Sequence, residues 1–438
     1  MKDIKFYFIL AIILKAFFWI FHIKFPNLSV HFGDPQEYAN LAIDILNGKY
    51  ISATRPPLYP VFIAFFFKIF GIKASYFIIP LIQHIIGLIT GYVIYRITGS
   101  SLAFCFYSCN PIITLYESSL YSENLYIPLT LIAYYYFRVN KFFMAYTFVA
   151  LSALARPTAL IIAIIIFTFH LIQVFKYKRL MGIYFITIVL VVYFIWGFYQ
   201  MRNFDYFFFS TIGKFNISLY QANYIYAENK GIDIKTARKE WLLKIYEKGE
   251  FYKKYPIPDT SVFDMNYSAY WEYQNYPDIV DVAFNEAIKL YLSNPRPVIL
   301  FALKGMTLSA INNGFYPLIQ YFHYENYTKK LQKLKELRHK IYDNILLNFN
   351  IKSAISALYE MLKMFPSVFI FSILYNFISL YLFYKLLRNT ISRNVEFLAL
   401  CLFLISWFIA GFAGIGGIRH FVAGYPFLII VSYSKEKN

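Results

Sequence analysis

The sequence predicts an all-α polytopic membrane protein, and three observations carry that prediction. Of 438 residues, 59% are hydrophobic and only 15% charged, with a mean hydropathy of +0.48. Several apolar runs reach the roughly 20 residues that a bilayer crossing needs. Basic residues gather where such runs end, at Lys2 and Lys5, at Lys176, Lys178 and Arg179, and at Lys385, Arg388 and Arg393. That is the positive-inside pattern. In a soluble chain the formal charge of +18 would suggest nucleic acid. At span ends it suits membrane lipids, through anionic head groups and lipid phosphates, and no nucleic acid partner is expected.

The elements follow in order. Residues 4–25 form the first span, with Lys2 and Lys5 placing the N-terminus inside. It has no small-residue cleavage site and further spans follow, so it does not read as a cleavable signal. The segment GDPQEYANLAIDILNG comes next. Asp34, Pro35 and Glu37 read as N-cap, first-turn proline and capping-box glutamate. Tyr38, Leu41, Ala42, Ile45 and Leu46 share one helical face, Glu37, Asn40, Asp44 and Asn47 the other, and Gly48 ends the helix. Too short and too polar to cross, it is expected to lie in the interface. Residues 58–70 are apolar, shorter than a span, and carry Lys68.

The basic run at 176–179 is the strongest cytoplasmic marker. Counting back from it, 158–175 descends, 142–155 ascends, 121–137 descends, 102–116 ascends and 75–97 descends. This parity leaves 58–70 outside, as a second surface or re-entrant helix. Residues 1–201 thus form a membrane module with two juxtamembrane helices after the first span. Residues 202–296 have soluble composition and form a small extracytoplasmic domain. Residues 297–438 are a C-terminal membrane and amphipathic region. In it, 297–315 reads equally as a crossing or a surface segment, and 331–345 as a basic amphipathic helix. That helix and the 385–393 loop both favour the cytoplasm, which one span between them does not allow. The short loop decides, because the charge rule works best there. Spans 367–384, 397–413 and 421–433 complete the chain. Cys105, Cys109 and Cys401 lie in apolar runs, with no metal or disulfide spacing.

On this topology polar residues converge on the outer turns: Asp34, Glu37 and Arg55 from the first loop, Glu117 and Glu123 from ITLYESSLYSENLYIP, Arg156 from ALARPTAL, Arg202, and Arg419 with His420 from GGIRHFVAGYP. Singly, each is an ordinary capping, snorkelling or solvated residue. Together they suit transfer of a group from a lipid phosphate. A carboxylate at the bilayer surface takes a proton from an acceptor hydroxyl, and arginines hold the phosphate and offset the charge left on departure. Lys15, His84, His170 and Lys304 lie within apolar runs without an evident partner.

At these residues the chain resembles the integral-membrane glycosyltransferases of the C superfold, in the branch of protein O-mannosyltransferases and aminoarabinose transferases. The matching pieces are GDPQEYANLAIDILNG with RPPLYPVFIAFFFKIFG, NPIITLYESSLYSENLYIP, ALARPTAL, the RNF at Arg202, FNEAIKLYLSNPRPVI and RHFVAGYPFLII. The resemblance spans most of the chain and is strongest in its first half. It implies a glycosyltransferase C-type bundle in the cell (inner) membrane, acting on the extracytoplasmic face. It implies a polyprenyl-phosphate sugar donor, a lipid, glycan or protein acceptor, and an inverting hexosyl or pentosyl transfer. Asp34 is then the catalytic carboxylate, Glu123 a second acid at the same site, and Arg55 a residue facing the donor. Arg202, Arg419, Arg156 and His420 are further candidates for donor or phosphate contact. Family members often carry Asp-Glu in the first loop, whereas Pro35 follows Asp34 here, so Glu37 is the candidate replacement. No metal-ligand spacing occurs, although Asp34 with Glu123 would suit a divalent ion. Arg419 and His420 also suit an O-antigen ligase or polymerase-type enzyme using a lipid diphosphate, whereas a lipid-linked sugar transporter is disfavoured, since the polar residues gather at one surface and no internal repeat appears.

Overall fold

The computed structural model describes residues 2–30, 34–177, 182–255, 272–311, 350–364, 369–391, 396–412 and 417–434, with Leu318, Tyr321, Lys333 and Leu337 besides. Helix and turn account for these residues, with no strand among them. Four of their helical stretches are long and apolar enough to cross a membrane: Ile4–Lys24, Ile72–Thr98, Ala159–Lys176 and Ile183–Phe204. The first lies in α1 (Lys2–Lys24), whose outer flank leaves Phe6, Ile9, Ile13, Ile20 and Ile23 uncovered. So continuous an apolar stripe is a liability in water and the normal state in lipid.

The short amphipathic segment forms α2 (Asp34–Leu46), and Gly48 reverses the chain after it at φ 72°. Tyr38, Leu41 and Ala42 are buried as the pattern requires, whereas Leu46 stays exposed at the end. α3 (Leu58–Phe70) has the predicted bounds. Gly71, at φ 76°, then folds the chain straight into α4 (Ile72–Thr98), a backbone geometry that glycine adopts without Cβ strain. Phe67 packs edge-on against Tyr76, and the Tyr59 hydroxyl donates to Gln83 Oε1 at 2.6 Å. Contacts at both ends of the hairpin show α3 running antiparallel along the first half of α4.

The run expected as one span at 102–116 is instead two helices, α5 (Ser101–Ser108) and α6 (Pro111–Glu117). The Asn110 side chain caps the second by accepting from the Ile112 and Ile113 amides, and Pro111 has no N–H to continue the first. Residues between α6 and α7 (Glu123–Arg138) are irregular and largely buried. Carbonyls there and in the last turn of α6 are met by side chains: Gln83 donates to Glu117 O and Ser119 O, and Asn124 to Tyr116 O and Ser119 O. Such backbone is tolerated deep in an apolar bundle only where protein groups satisfy it. α7 pairs with α8 (Phe142–Ala155), where small residues and a Thr130–Ser152 hydroxyl contact of 2.7 Å hold the helices close. α9 (Ala159–Tyr177) and α10 (Ile186–Phe204) follow.

A second core stands apart in sequence, built by α11 (Ile212–Phe215), a π-turn at Asn216–Gln221, α12 (Ala222–Lys230), α13 (Ile234–Lys248) and α14 (Pro277–Ser293) around the fully buried Trp241. α15 (Pro295–Ile311) joins it to the C-terminal region. There α16 (Ile351–Met364), absent from the sequence reading, precedes α17 (Phe369–Ile391), α18 (Phe397–Phe412) and α19 (Gly417–Ser432). The amphipathic helix expected at 331–345 lies outside the described residues except for Lys333 and Leu337, both helical.

Candidate active site

The loop between α2 and α3 is pinned before it reaches Arg55. Tyr199 donates to Tyr50 O, Gln200 to Ser52 O at 2.8 Å, Ser210 to Thr54 O at 2.6 Å, and Thr211 to Ala53 O through both its amide and its hydroxyl. The Arg55 amide donates to Ser52 Oγ and its carbonyl accepts from Tyr50, at 2.9 and 2.8 Å. A backbone so fully bonded fixes where the guanidinium emerges.

That guanidinium serves two carboxylates. Nε and Nη2 donate to Glu37 Oε2 at 3.0 and 2.7 Å, and Nη2 also lies 3.2 Å from Asp34 Oδ2. The Thr54 hydroxyl donates to the other Glu37 oxygen at 2.8 Å. Burial opposes the Arg55 charge, yet Asp34 and Glu37 outweigh it and hold the guanidinium pKa well above its usual value. The Asp34 and Glu37 side chains remain 25% and 32% exposed while Arg55 keeps only 9%, so the acids form the mouth and the base the floor. Nη1 enters none of these bonds.

Behind this group sits a second acid–base pair. Glu123 opens α7, where the positive end of the helix favours a carboxylate, and it pairs with Arg156 from the end of α8. Both are buried. Tyr38 stands between the two groups: the Arg55 guanidinium lies 5.1 Å from its ring centre, and its hydroxyl donates to Ser122 Oγ at 2.9 Å. Ser122 in turn donates to Glu123 Oε2 at 3.3 Å.

The structure thus gathers Asp34, Glu37, Arg55, Glu123 and Arg156 into one contiguous polar group. Arg202 is exposed near the end of α10 and enters none of these contacts; Gln200, two residues before it, does the anchoring. Arg419 and His420 have their backbone in the first turn of α19, and their side chains lie outside the described residues. Among the described residues no cluster of three or more His, Cys, Asp or Glu offers a metal site.

Three ionisable residues read as partnerless or merely solvated form a further cluster. Lys15, in the middle of α1, pairs with Glu117 Oε2, and His84 Nδ1 lies 2.9 Å from the same oxygen. His170 likewise has a partner, the Tyr146 hydroxyl at 3.0 Å. Glu117 Oε1 lies over Gly87 and has no hydrogen-bond partner among the described residues. A small cavity of about 10 Å³ touches Glu117, Glu123, Gln83 and Asn124. Sequence held a hint of this cluster, since an ionisable group within an apolar helix asks for a partner. Tyr38 also left a trace, lying four residues from Asp34 and hence on its side of α2.

Compared with protein-family profiles, curated proteins and solved structures, the chain matches none of them.

Proposed function

We propose that the protein is a membrane glycosyltransferase that moves a sugar from a polyprenyl-phosphate donor to an acceptor hydroxyl on the extracytoplasmic face. The observation that carries this reading is the contact of Arg55, from the loop after α2, with both Asp34 and Glu37 on that short amphipathic helix, beside apolar helices. Asp34, part-exposed, takes the acceptor proton as its oxygen attacks the anomeric carbon. The bond from that carbon to the phosphate oxygen breaks, and its electron pair leaves with the lipid phosphate. Arg55, whose Nη1 enters none of the bonds to Glu37 and Asp34, takes a phosphate oxygen and offsets the growing charge. Glu37 holds Arg55 in place, supplying the second acid of the first loop after Pro35. The exposed apolar face of α3, with Val61, Phe65 and Ile69, borders the path by which a prenyl chain stays in lipid. Glycosyltransferase C-type architecture and an outward-facing helical domain around Trp241 belong to the same proposal.

The test is Asp34→Asn in purified protein supplied with lipid-phosphate sugars and a hydroxyl acceptor. Asparagine keeps the helix-capping ability of aspartate and removes the base. We expect transfer to fall at least about 10³-fold, on the scale of lost general-base catalysis. Wild-type turnover in this variant, with loss in His420→Ala, would favour ligase chemistry on a lipid diphosphate.

A second reading has an observation of its own. The break between α5 and α6 and the Lys15–Glu117–His84 cluster within apolar helices are features of transporters. Movement of an intact lipid-linked sugar across vesicles, without cleavage, would decide for it.

A further inference from the structure

Tyr38 is buried on α2 in a position that phenylalanine would fill equally well for packing. Its ring stands edge-on to Tyr59 at 5.0 Å, and Tyr59 reaches through Gln83 to Ser119 O in the irregular segment before α7. What a phenylalanine would lack is the hydroxyl, and that hydroxyl has a defined direction. Tyr38 donates to Ser122, and Ser122 donates to Glu123. Burial holds the Tyr38 phenol above its usual pKa range, with Arg55 opposing and Asp34 adding to the shift, so it stays protonated and a donor.

Ser122 supplies independent support. It occupies the position before α7 where serine ordinarily caps a helix through its side chain, and it makes no such bond. Its hydroxyl is given to Tyr38 and Glu123 instead. The other face of Tyr38 meets the Arg55 guanidinium. One side chain therefore meets the Arg55 guanidinium with its ring and reaches Glu123 through Ser122 with its hydroxyl.

We propose that Tyr38 is a positioning residue that couples the Asp34–Arg55–Glu37 group to the Glu123–Arg156 pair, so that both act on one substrate as a unit. This rests on the transferase reading given above. The ring fixes the plane of the guanidinium that meets the phosphate. The hydroxyl chain fixes the rotamer of Glu123, and with it the Arg156 charge behind the site.

Two double-variant cycles on the full-length protein test this. The first combines Tyr38→Phe with Ser122→Ala and reads thermal unfolding in detergent, which needs no substrate. Each single change lowers the midpoint, and the double falls no further than the worse single; additive falls would overturn the link. The second combines Tyr38→Phe with Glu123→Gln and reads transfer from a polyprenyl-phosphate sugar. Tyr38→Phe lowers kcat by about tenfold, the scale of one buried hydrogen bond, with donor KM within about twofold. The double variant then matches Glu123→Gln alone. Multiplying losses, or a Tyr38→Phe effect confined to KM, would overturn the positioning role. Wild-type protein that shows the first coupling but no transfer would refute the transferase reading, and the catalytic part of this inference with it.

Discussion

Glu123 and Arg156 show how much a single residue decides when charge is buried. Removing one partner leaves the other stranded, whereas removing both leaves only a packing problem. Arg156→Leu should therefore cost about 3–5 kcal/mol, and Arg156→Leu combined with Glu123→Leu should recover most of it. Unfolding midpoints in detergent check this; equal losses in the single and double variants would mean that the pair carries no buried charge. Gly87 gives a second case. A Cβ there would stand 1.8 Å from Glu117 Oε1, so the carboxylate would have to leave Lys15 and His84. Gly87→Ala should cost about 1–3 kcal/mol in the native chain, as overpacking does, and far less when Glu117 is already alanine. Persistence of the full cost in that background would show that some other neighbour is struck. At this scale Asp34, Glu37, Arg55, Glu123 and Arg156 stood out in the sequence because polar residues at the ends of apolar runs are conspicuous. Tyr38 and Ser122 did not, because a tyrosine on an apolar face and a serine before a helix both have ordinary explanations. The partner of Lys15 was invisible for a different reason: it lies 102 positions away, on α6, and only the fold brings it near.

Helices were legible where hydropathy and punctuation agree. The bounds of α3 and α8 coincide with the apolar runs because Pro57 and Gly71 flank the first, and Lys141 and Arg156 the second. The break between α5 and α6 was missed because hydropathy runs unchanged across it; the Asn110–Pro111 dipeptide was the available signal. Outside the apolar bundle, α13 offers a direct test of capping. Asp233 accepts from the Lys235 and Thr236 amides at its start, and Asp233→Ala should cost about 0.5–2 kcal/mol, with Asp233→Asn near neutral. The Thr236 hydroxyl, then its amide, hold the Asp233 carboxyl below its usual pKa. A depressed folded value means that the stabilisation is complete above the unfolded pKa of about 3.9 and fades as pH falls through the folded one. The gap between native and Asp233→Ala midpoints should accordingly narrow below about pH 4, and a gap that is flat with pH would mean that the cap acts without its charge.

At the scale of the whole molecule, the proposed chemistry depends on which side of the membrane receives α2 and the α3–α4 turn. By the positive-inside rule, basic residues at 2 and 5, and again at 385, 388 and 393, predict a cytoplasmic start of α1 and a cytoplasmic end of α17. On that prediction, one crossing by α1 would carry α2 to the outer face. α3 lies antiparallel along the first half of α4, with Lys73 just past the turn that joins them, and the proposal puts that turn on the outer face. Cysteine placed singly at Asn40, Lys73 or Arg388, in a chain with Cys105, Cys109 and Cys401 replaced, reports each location. Asn40 and Lys73 should react with a membrane-impermeant thiol reagent in intact cells, and Arg388 only after permeabilisation. Reaction at Asn40 without Lys73 would mean that α3 crosses, which inverts α4 and parts Glu123 from Asp34 across the bilayer. The geometry opposes that outcome, because Tyr38 on α2 reaches Ser122 directly, and a helix pair bonded hydroxyl to hydroxyl at 2.9 Å cannot face opposite sides of a membrane.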